Sequence, residues 1–385
     1  MNITTPKKEL VDAVSRCCVV ADPKATHPMG AYVLVSASEG AVSFASTDMI
    51  ASVRCTVETA VKADGDIAVP ARGLLDKLKA MDDGPVTLKC KALVMTISSK
   101  GSPRRYTMSG LAPEDFPTMP EMPGGFDVDA AALSRIIGNV SYASFPGEDR
   151  PHMSTVSVKV VDGPNKKKGS TTICYAADGH RFALAQHYAL PRIPKCYANV
   201  PARGAKALRT MLEGAEHAKM AVANDHIFLD VNGVMFSSKT ITEDAPFVPT
   251  GKEHHHFKVE IDRARLLKAV RSVALVSQDD VSVTLKFSDK DIEVSTQAGD
   301  AGEGTDRVPI TWVSDTGETD FITGHSCRYM VEVLSNMPGQ TVILSMVNER
   351  AKEDASFVLG ASTFTPKTEK GEPTHYTHLM PRRDS

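Results

Sequence analysis

No stretch of this 385-residue chain approaches the roughly 20 apolar residues that a helix needs to cross a bilayer. The opening Met1-Asn2-Ile3-Thr4-Thr5-Pro6-Lys7-Lys8 has no apolar core and no cleavage site, so no signal peptide is expected. There is a single tryptophan, Trp312, and aromatic residues make up 6%, which leaves little for stacking single-stranded bases. Basic residues (44) do not outnumber acidic ones (47), and the net charge of -3 excludes a simple basic nucleic-acid binder. No G-x-x-x-x-G-K-[ST] loop or G-x-G-x-x-G turn appears, so the chain has no recognisable nucleotide site of its own. The seven cysteines (17, 18, 55, 90, 174, 196 and 327) form no C-x-x-C pair and no cluster with histidine. They read as reduced thiols of a cytoplasmic protein, and no metal or cofactor is expected.

What is present is a repeat. Asn2-Ile3-Thr4, Phe126-Asp127-Val128 and Phe257-Lys258-Val259 each read as a short strand leading into an amphipathic helix. These helices begin near Lys8, Ala131 and Leu266. A second helix recurs later in each unit, after Val69-Pro70-Ala71-Arg72 and after Val200-Pro201-Ala202-Arg203, starts that lie 131 positions apart. Proline in the first turn suits a helix start because its missing N–H has no partner there anyway. In the third unit the proline is absent, and Ser326 is the expected cap before Tyr329 to Leu334. A period near 130 residues is too long for a solenoid and marks whole domains in tandem.

Between the helices, Ala31–Ser36, Val86–Lys89 and Val281–Phe287 alternate in strand fashion. The expected fold is α+β, with three tandem copies of two helices packed on antiparallel sheet. Their boundaries are expected at 1–122, 125–250 and 256–385, with the joins marked by Pro- and Gly-rich stretches.

Charge is unevenly placed. The windows 5–18, 71–81, 130–141, 202–213, 262–272 and 326–337 hold 15 Lys and Arg against 6 Asp and Glu, a net +9. The remainder, with 29 basic and 41 acidic residues, carries -12. Such helices suit a polyanion met through its phosphates, without regard to base sequence.

In this order and at these spacings, Val69-Pro70-Ala71-Arg72-Gly73-Leu74-Leu75, Leu111-Ala112-Pro113-Glu114-Asp115-Phe116-Pro117, Ala177-Asp178-Gly179-His180-Arg181-Phe182-Ala183 and Leu379-Met380-Pro381 resemble the bacterial DNA polymerase III beta subunit, the sliding clamp family. The resemblance covers essentially the whole chain. It implies a ring-shaped, head-to-tail homodimer that encircles duplex DNA, is opened by a clamp loader with its own ATPase, and confers processivity without catalysis. The implied clients are the DNA polymerase III alpha subunit and other proteins with a clamp-binding motif, and no membrane is involved.

Carried over by position, the client-peptide pocket comprises Met153, Gly179, His180, Arg181, Phe182, Pro246, Tyr329, Ser356, Leu379, Met380 and Pro381. Apolar walls would bury an aromatic or leucine anchor, while His180 and Arg181 would orient the peptide. Tyr106 and Met108 are expected to meet Leu275 and Val276 of the second copy. The resemblance places Lys24 on the DNA side. The helix charges add Arg72, Lys77, Arg203, Arg209, Arg265, Lys268 and Arg271.

The chain departs from the family pattern in its tail, Arg382-Arg383-Asp384-Ser385, in Phe247-Val248-Pro249-Thr250-Gly251 after Pro246, and in Ser326 where Asn is common. A pocket of altered specificity is therefore expected.

Two rival readings exist. One is a hydrolase or lyase using Asp178 and His180, but one acid and one imidazole without a positioned Ser or Cys make no nucleophilic system. The other is an adaptor of the same fold that binds proteins and not DNA. His254-His255-His256 reads as a solvated linker, since adjacent side chains on an extended chain point apart. Lys166-Lys167-Lys168 reads as a hairpin tip and Cys17-Cys18 as partly buried helix packing.

Overall fold

The computed structural model describes residues 1–25, 27–147, 149–163, 169–242, 257–276, 282–297, 302–313, 322–346, 362–367 and 375–380. Six times a strand runs directly into a helix. Asn2–Pro6 leads into α1 (Lys7–Val20), Gly65–Pro70 into α2 (Ala71–Ala80) and Phe126–Asp129 into α3 (Ala130–Ser141). Cys196–Pro201 leads into α4 (Ala202–Leu212), Phe257–Asp262 into α5 (Arg263–Val273) and Ile322–Ser326 into α6 (Cys327–Asn336).

The switch happens at one residue, and the side chain there explains it. Asp129 accepts from the N–H of Ala132 at 2.7 Å, Asp262 from Arg265 at 2.7 Å and Ser326 from Tyr329 at 3.3 Å. Each satisfies a donor that the first helical turn leaves unpaired. Pro6 and Pro70 stand at the cap itself, Pro70 just before the first turn in which the sequence places it, with φ near -52° and -55° and no capping side chain.

The helices bury one stripe. On α1, Leu10, Ala13, Val14, Cys17 and Val20 face inward at the spacing of a 3.6-residue turn. That stripe packs on α2 and on the strand Ala51–Glu58. Cys17 is buried and Cys18 half-buried, as helix packing requires. On α5, Leu266, Ala269, Val270 and Val273 meet Met330, Val333 and Leu334 of α6 over Val283, Leu285 and Val294. Truncating one of these leucines to alanine costs about 2–5 kcal/mol.

All described ladders are antiparallel, and the strands form sheets of five, eight and twelve. The chain divides into two compact units, Met1–Ser134 with Arg203–Thr242, and Arg135–Ala202 with the described part of Glu243–Ser385.

Within the first unit, Ala51–Glu58 pairs with Val234–Lys239, in register from Ala51↔Ser238 to Arg54↔Met235. Within the second, Arg181–Ala189 pairs with His375–Leu379, from Arg181↔Leu379 to Ala185↔His375. Each pairing joins strands far apart in the chain, so hydrogen-bonded sheet runs across the seam between successive repeats. This is why the units do not coincide with the repeats.

Among the described residues no helix is long and apolar enough to cross a membrane. His254-His255-His256 and Lys166-Lys167-Lys168 lie outside the described residues.

Candidate peptide pocket and charged helix faces

The candidate residues gather on the turn at the start of Arg181–Ala189. One oxygen of Asp178 accepts the N–H groups of His180 (2.9 Å) and Arg181 (3.0 Å), and the other accepts Arg181 Nε at 3.0 Å. Gly179 takes φ +89°, a conformation that strains any other L-residue, and its face looks toward the thioether of Met153. The carboxylate of Asp178 is thus consumed in holding the turn, which removes the acid from the hydrolase reading.

Arg181 does not reach outward as the sequence reading expects. Its side chain is 3% exposed. One terminal nitrogen meets the Glu332 carboxylate of α6, and the other donates to the carbonyl of Tyr142 at 2.6 Å. The guanidinium carbon lies 4.5 Å from the ring centre of Tyr329 and 5.3 Å from that of Tyr142. Two carboxylates, one carbonyl and two aromatic faces draw the charge inward, so Arg181 lies beneath the turn and braces it. Phe182 and Leu379 are also buried, Phe182 against the rings of Tyr175, Tyr376 and His378 and Leu379 within the α5–α6 core.

What remains at the surface is His180, Gly179 and the half-buried Met153, Tyr329 and Met380. The His180 ring lies 5.7 Å from that of Tyr329. The N–H of Met380 donates to the His180 carbonyl at 3.0 Å, which ties the end of the last described strand to the turn. On the other side of Met380, its carbonyl lies 3.3 Å from Nδ1 of His325. A carbonyl can only accept, so this nitrogen carries the proton and Nε2 accepts from the Ser362 hydroxyl at 2.9 Å. Burial lowers the His325 pKa to about 4, so the ring is neutral near pH 7.

The structure therefore brings together Met153, Gly179, His180, Arg181, Phe182, Tyr329, Leu379 and Met380. Pro246, Ser356, Pro381 and the tail Arg382–Ser385 lie outside the described residues. The sequence reading missed Tyr142, Glu332 and His325. Of these only Glu332 left a signal, three positions after Tyr329 on one helix face. Tyr142 packs against Arg181 and bonds Thr377 at 2.8 Å, and burial pushes its phenol well above the usual range.

The basic helix residues divide into two groups. Lys24, Arg72, Arg209 and Lys268 are exposed, with no carboxylate within ion-pair reach among the described residues. Arg271 is exposed and donates to Ser335, and Lys77 is half-buried. Arg265 instead holds Asp306 through two nitrogens (2.8 and 2.6 Å), and Arg203 holds Asp48 (2.6 Å) and Asp22 (2.7 Å). Carboxylates already occupy these two guanidiniums, a fact invisible to a count of charges.

Tyr106 and Met108 lie on Arg105–Ser109, one of the two edge strands of the five-stranded sheet. Leu275, 85% exposed, and the half-buried Val276 follow α5 in a short turn beside the strand Glu303–Trp312.

Comparison with known proteins accounts for this architecture. Residues 1–120, 127–247 and 248–352 match the N-terminal, central and C-terminal domains of the DNA polymerase III beta subunit. The beta sliding clamp of Micrococcus luteus is 24% identical over 321 residues, covering 81% of this chain and 99% of its own. That of Pseudomonas aeruginosa is 24% identical over 378 residues, covering 93% and 99%. The crystal structure of a sliding clamp from P. aeruginosa bound to griselimycin superposes with a TM-score of 0.85 at 21% identity, covering 100% of this chain and 99% of that one. A Caulobacter crescentus clamp gives 0.84 at 23%, with both chains fully covered. With its repeats matched in order from residue 1 to residue 352, the chain belongs to the DNA polymerase III beta subunit family, the sliding clamps.

Proposed function

We propose that two copies of this chain close head to tail into a ring around duplex DNA and tether the replicative polymerase and other DNA-processing proteins to it. As a sliding clamp the chain is a processivity factor and not an enzyme. The carrying observation is a seam left half-made. At each internal seam the last strand of one repeat pairs with a middle strand of the repeat before it. The last strand of the first repeat, Arg105–Ser109, has a described ladder on one side only. Among the described residues, the third repeat's counterpart middle strand, Glu303–Trp312, pairs through residues 303–309 only with Asp291–Gln297.

Two complementary open edges on one chain call for a second copy, and a heterologous contact of this kind closes a ring when the rotation allows. Tyr106 and Met108 sit on one edge. Val276 lies beside the other, its Cγ1 3.1 Å from where a Cβ at Gly304 would stand.

In this reading the repeats span 1–122, 125–250 and 256–385. Lys24, Arg72, Arg209, Lys268 and Arg271 face DNA phosphates, with Lys77 contributing partially. The pocket around His180, Tyr329, Met153 and Met380 takes a client's apolar anchor. It is completed by Pro246, Ser356 and Pro381, and the departing tail alters its specificity. A clamp loader opens the ring, the DNA polymerase III alpha subunit is among the clients, and the ring works in the cytoplasm on the nucleoid.

Light scattering over a dilution series tests the ring: a stable species at twice the 41.4 kDa chain mass is expected. Retention on nicked circular DNA, lost when the circle is linearised, tests encirclement. A monomer at every concentration, or equal retention on both forms, overturns it and leaves the adaptor reading.

A further inference from the structure

Arg203 occupies an unusual place among the basic helix residues, because both of its partners belong to the first repeat. Asp48, whose side chain is 1% exposed, receives Arg203 Nε at 2.6 Å on one oxygen. Its other oxygen takes the N–H groups of Ile50 (2.9 Å) and Ala51 (2.7 Å). A terminal nitrogen of Arg203 continues to Asp22 at 2.7 Å.

Asp22 in turn organises the loop after α1. Its second oxygen accepts the Lys24 N–H at 2.9 Å, its own N–H donates to Gly30 at 2.8 Å, and its carbonyl accepts the Ala25 N–H at 3.1 Å. The loop folds tightly: a Cβ at Gly30 would stand 2.2 Å from that of Ala25. The Lys24 amide and the Arg203 guanidinium hold the Asp22 carboxyl below its usual range.

We infer that Arg203 is a positioning residue that ties α4 to the loop bearing Lys24 and so fixes where that ammonium meets the DNA backbone. The planar fork suits the task. One guanidinium bridges a buried and a surface carboxylate in fixed directions, which a single ammonium cannot reproduce. The exposed Arg203–Asp22 contact alone is weak, but its anchor on the desolvated Asp48 is charge-assisted and shielded from salt. Of the two links, the effect on DNA rests on the sliding-clamp reading; the effect on the loop does not.

Hydrogen exchange of the full chain, followed by mass spectrometry over residues 21–30, tests the loop. Arg203→Ala is expected to speed exchange there about tenfold, as loss of one charge-assisted contact would. Asp22→Asn keeps an acceptor for the Lys24 amide and spares Asp48, so it gives a milder rise in a fold left intact. Arg203→Lys falls between the two, and Lys206→Ala, an exposed neighbour on α4, changes nothing. Unchanged exchange in both Arg203→Ala and Asp22→Asn overturns the inference.

Anisotropy titration of a short duplex at low salt tests the consequence. Lys24→Ala lowers the salt slope by about one, and the Arg203→Ala/Lys24→Ala double variant lowers it no further. A slope lower by about two in the double variant means that Arg203 binds phosphate itself, and the inference falls. Faster exchange combined with no effect of Lys24→Ala on DNA leaves the loop tie standing and removes the DNA-facing assignment instead.

Discussion

The two seams are built on one backbone frame and finished differently. At each, an aspartate (Asp48 or Asp178) opens a turn by accepting two backbone N–H groups on one oxygen. The carbonyl two residues on, of Ile50 or His180, receives an N–H from the end of the partner strand, from Lys239 at 2.8 Å or Met380 at 3.0 Å. The difference lies in the guanidinium on the second oxygen. At the second seam it is Arg181, from the turn itself, folded under a surface left open around His180 and Tyr329. At the first it is Arg203, arriving from a helix and passing on to Asp22. The same frame carries an inward-turned guanidinium in one place and a guanidinium bridging two carboxylates in the other, because the side chains set on it decide what it does.

Removing each guanidinium tests that contrast most severely. Arg181→Ala strands the buried Asp178 and removes one of the two described cations on the part-exposed Glu332, and is expected to cost about 3–5 kcal/mol in urea unfolding, with loss of client-peptide binding. Arg203→Ala should cost less, about 1 kcal/mol, because water can enter the space of its 43% exposed side chain and Asp48 keeps its two backbone donors. Equal losses would erase the distinction between the seams.

Acid sharpens the comparison next. Burial holds both His325 and His375, near the second seam, at about 4 against 6.5 for an exposed histidine. The unfolded chain therefore takes up protons between pH 6.5 and about 4 that the folded chain refuses. Stability is full above that window and lost as pH falls through it, by about 3 kcal/mol for each ring. Replacing His325 by glutamine should flatten its share of the slope in pH-dependent denaturation; an unchanged slope would contradict a neutral buried ring.

Smaller effects refine the picture. Ser326→Ala removes the cap of α6 and should cost about 1 kcal/mol by thermal melting, with weaker peptide binding because Tyr329 is the residue whose N–H is capped. At the first seam, Met49 stands where the second has Gly179, with φ +75° and 42% of its surface exposed. Met49→Gly should relieve that strain and stabilise by about 0.5 kcal/mol, whereas Gly179→Ala should destabilise.

Much of this was legible beforehand, for reasons that differ by element. The six helices declared themselves through apolar periodicity and through repetition, and Ser326 through the chemistry of caps. The pairing of Tyr106 with Leu275 rests on resemblance alone and stays a proposal. What the sequence could not reveal is which charges are already paired: Arg265 finds Asp306, and Arg203 finds Asp48, only after folding brings distant segments together. The inward turn of Arg181 is equally hidden, since nothing in a linear string shows that Glu332 and Tyr142 wait beneath it.

The ladders across the seams also bear on how the molecule carries load. Ala51–Arg54 and Arg181–Ala185 lie side by side with their partners, so tension along these strands is shared by several hydrogen bonds at once. A flexible tether yields one bond at a time, whereas a sheared ladder must let go together. Traction from a moving polymerase would therefore meet welds at these junctions, and the compliance of the assembly would reside elsewhere.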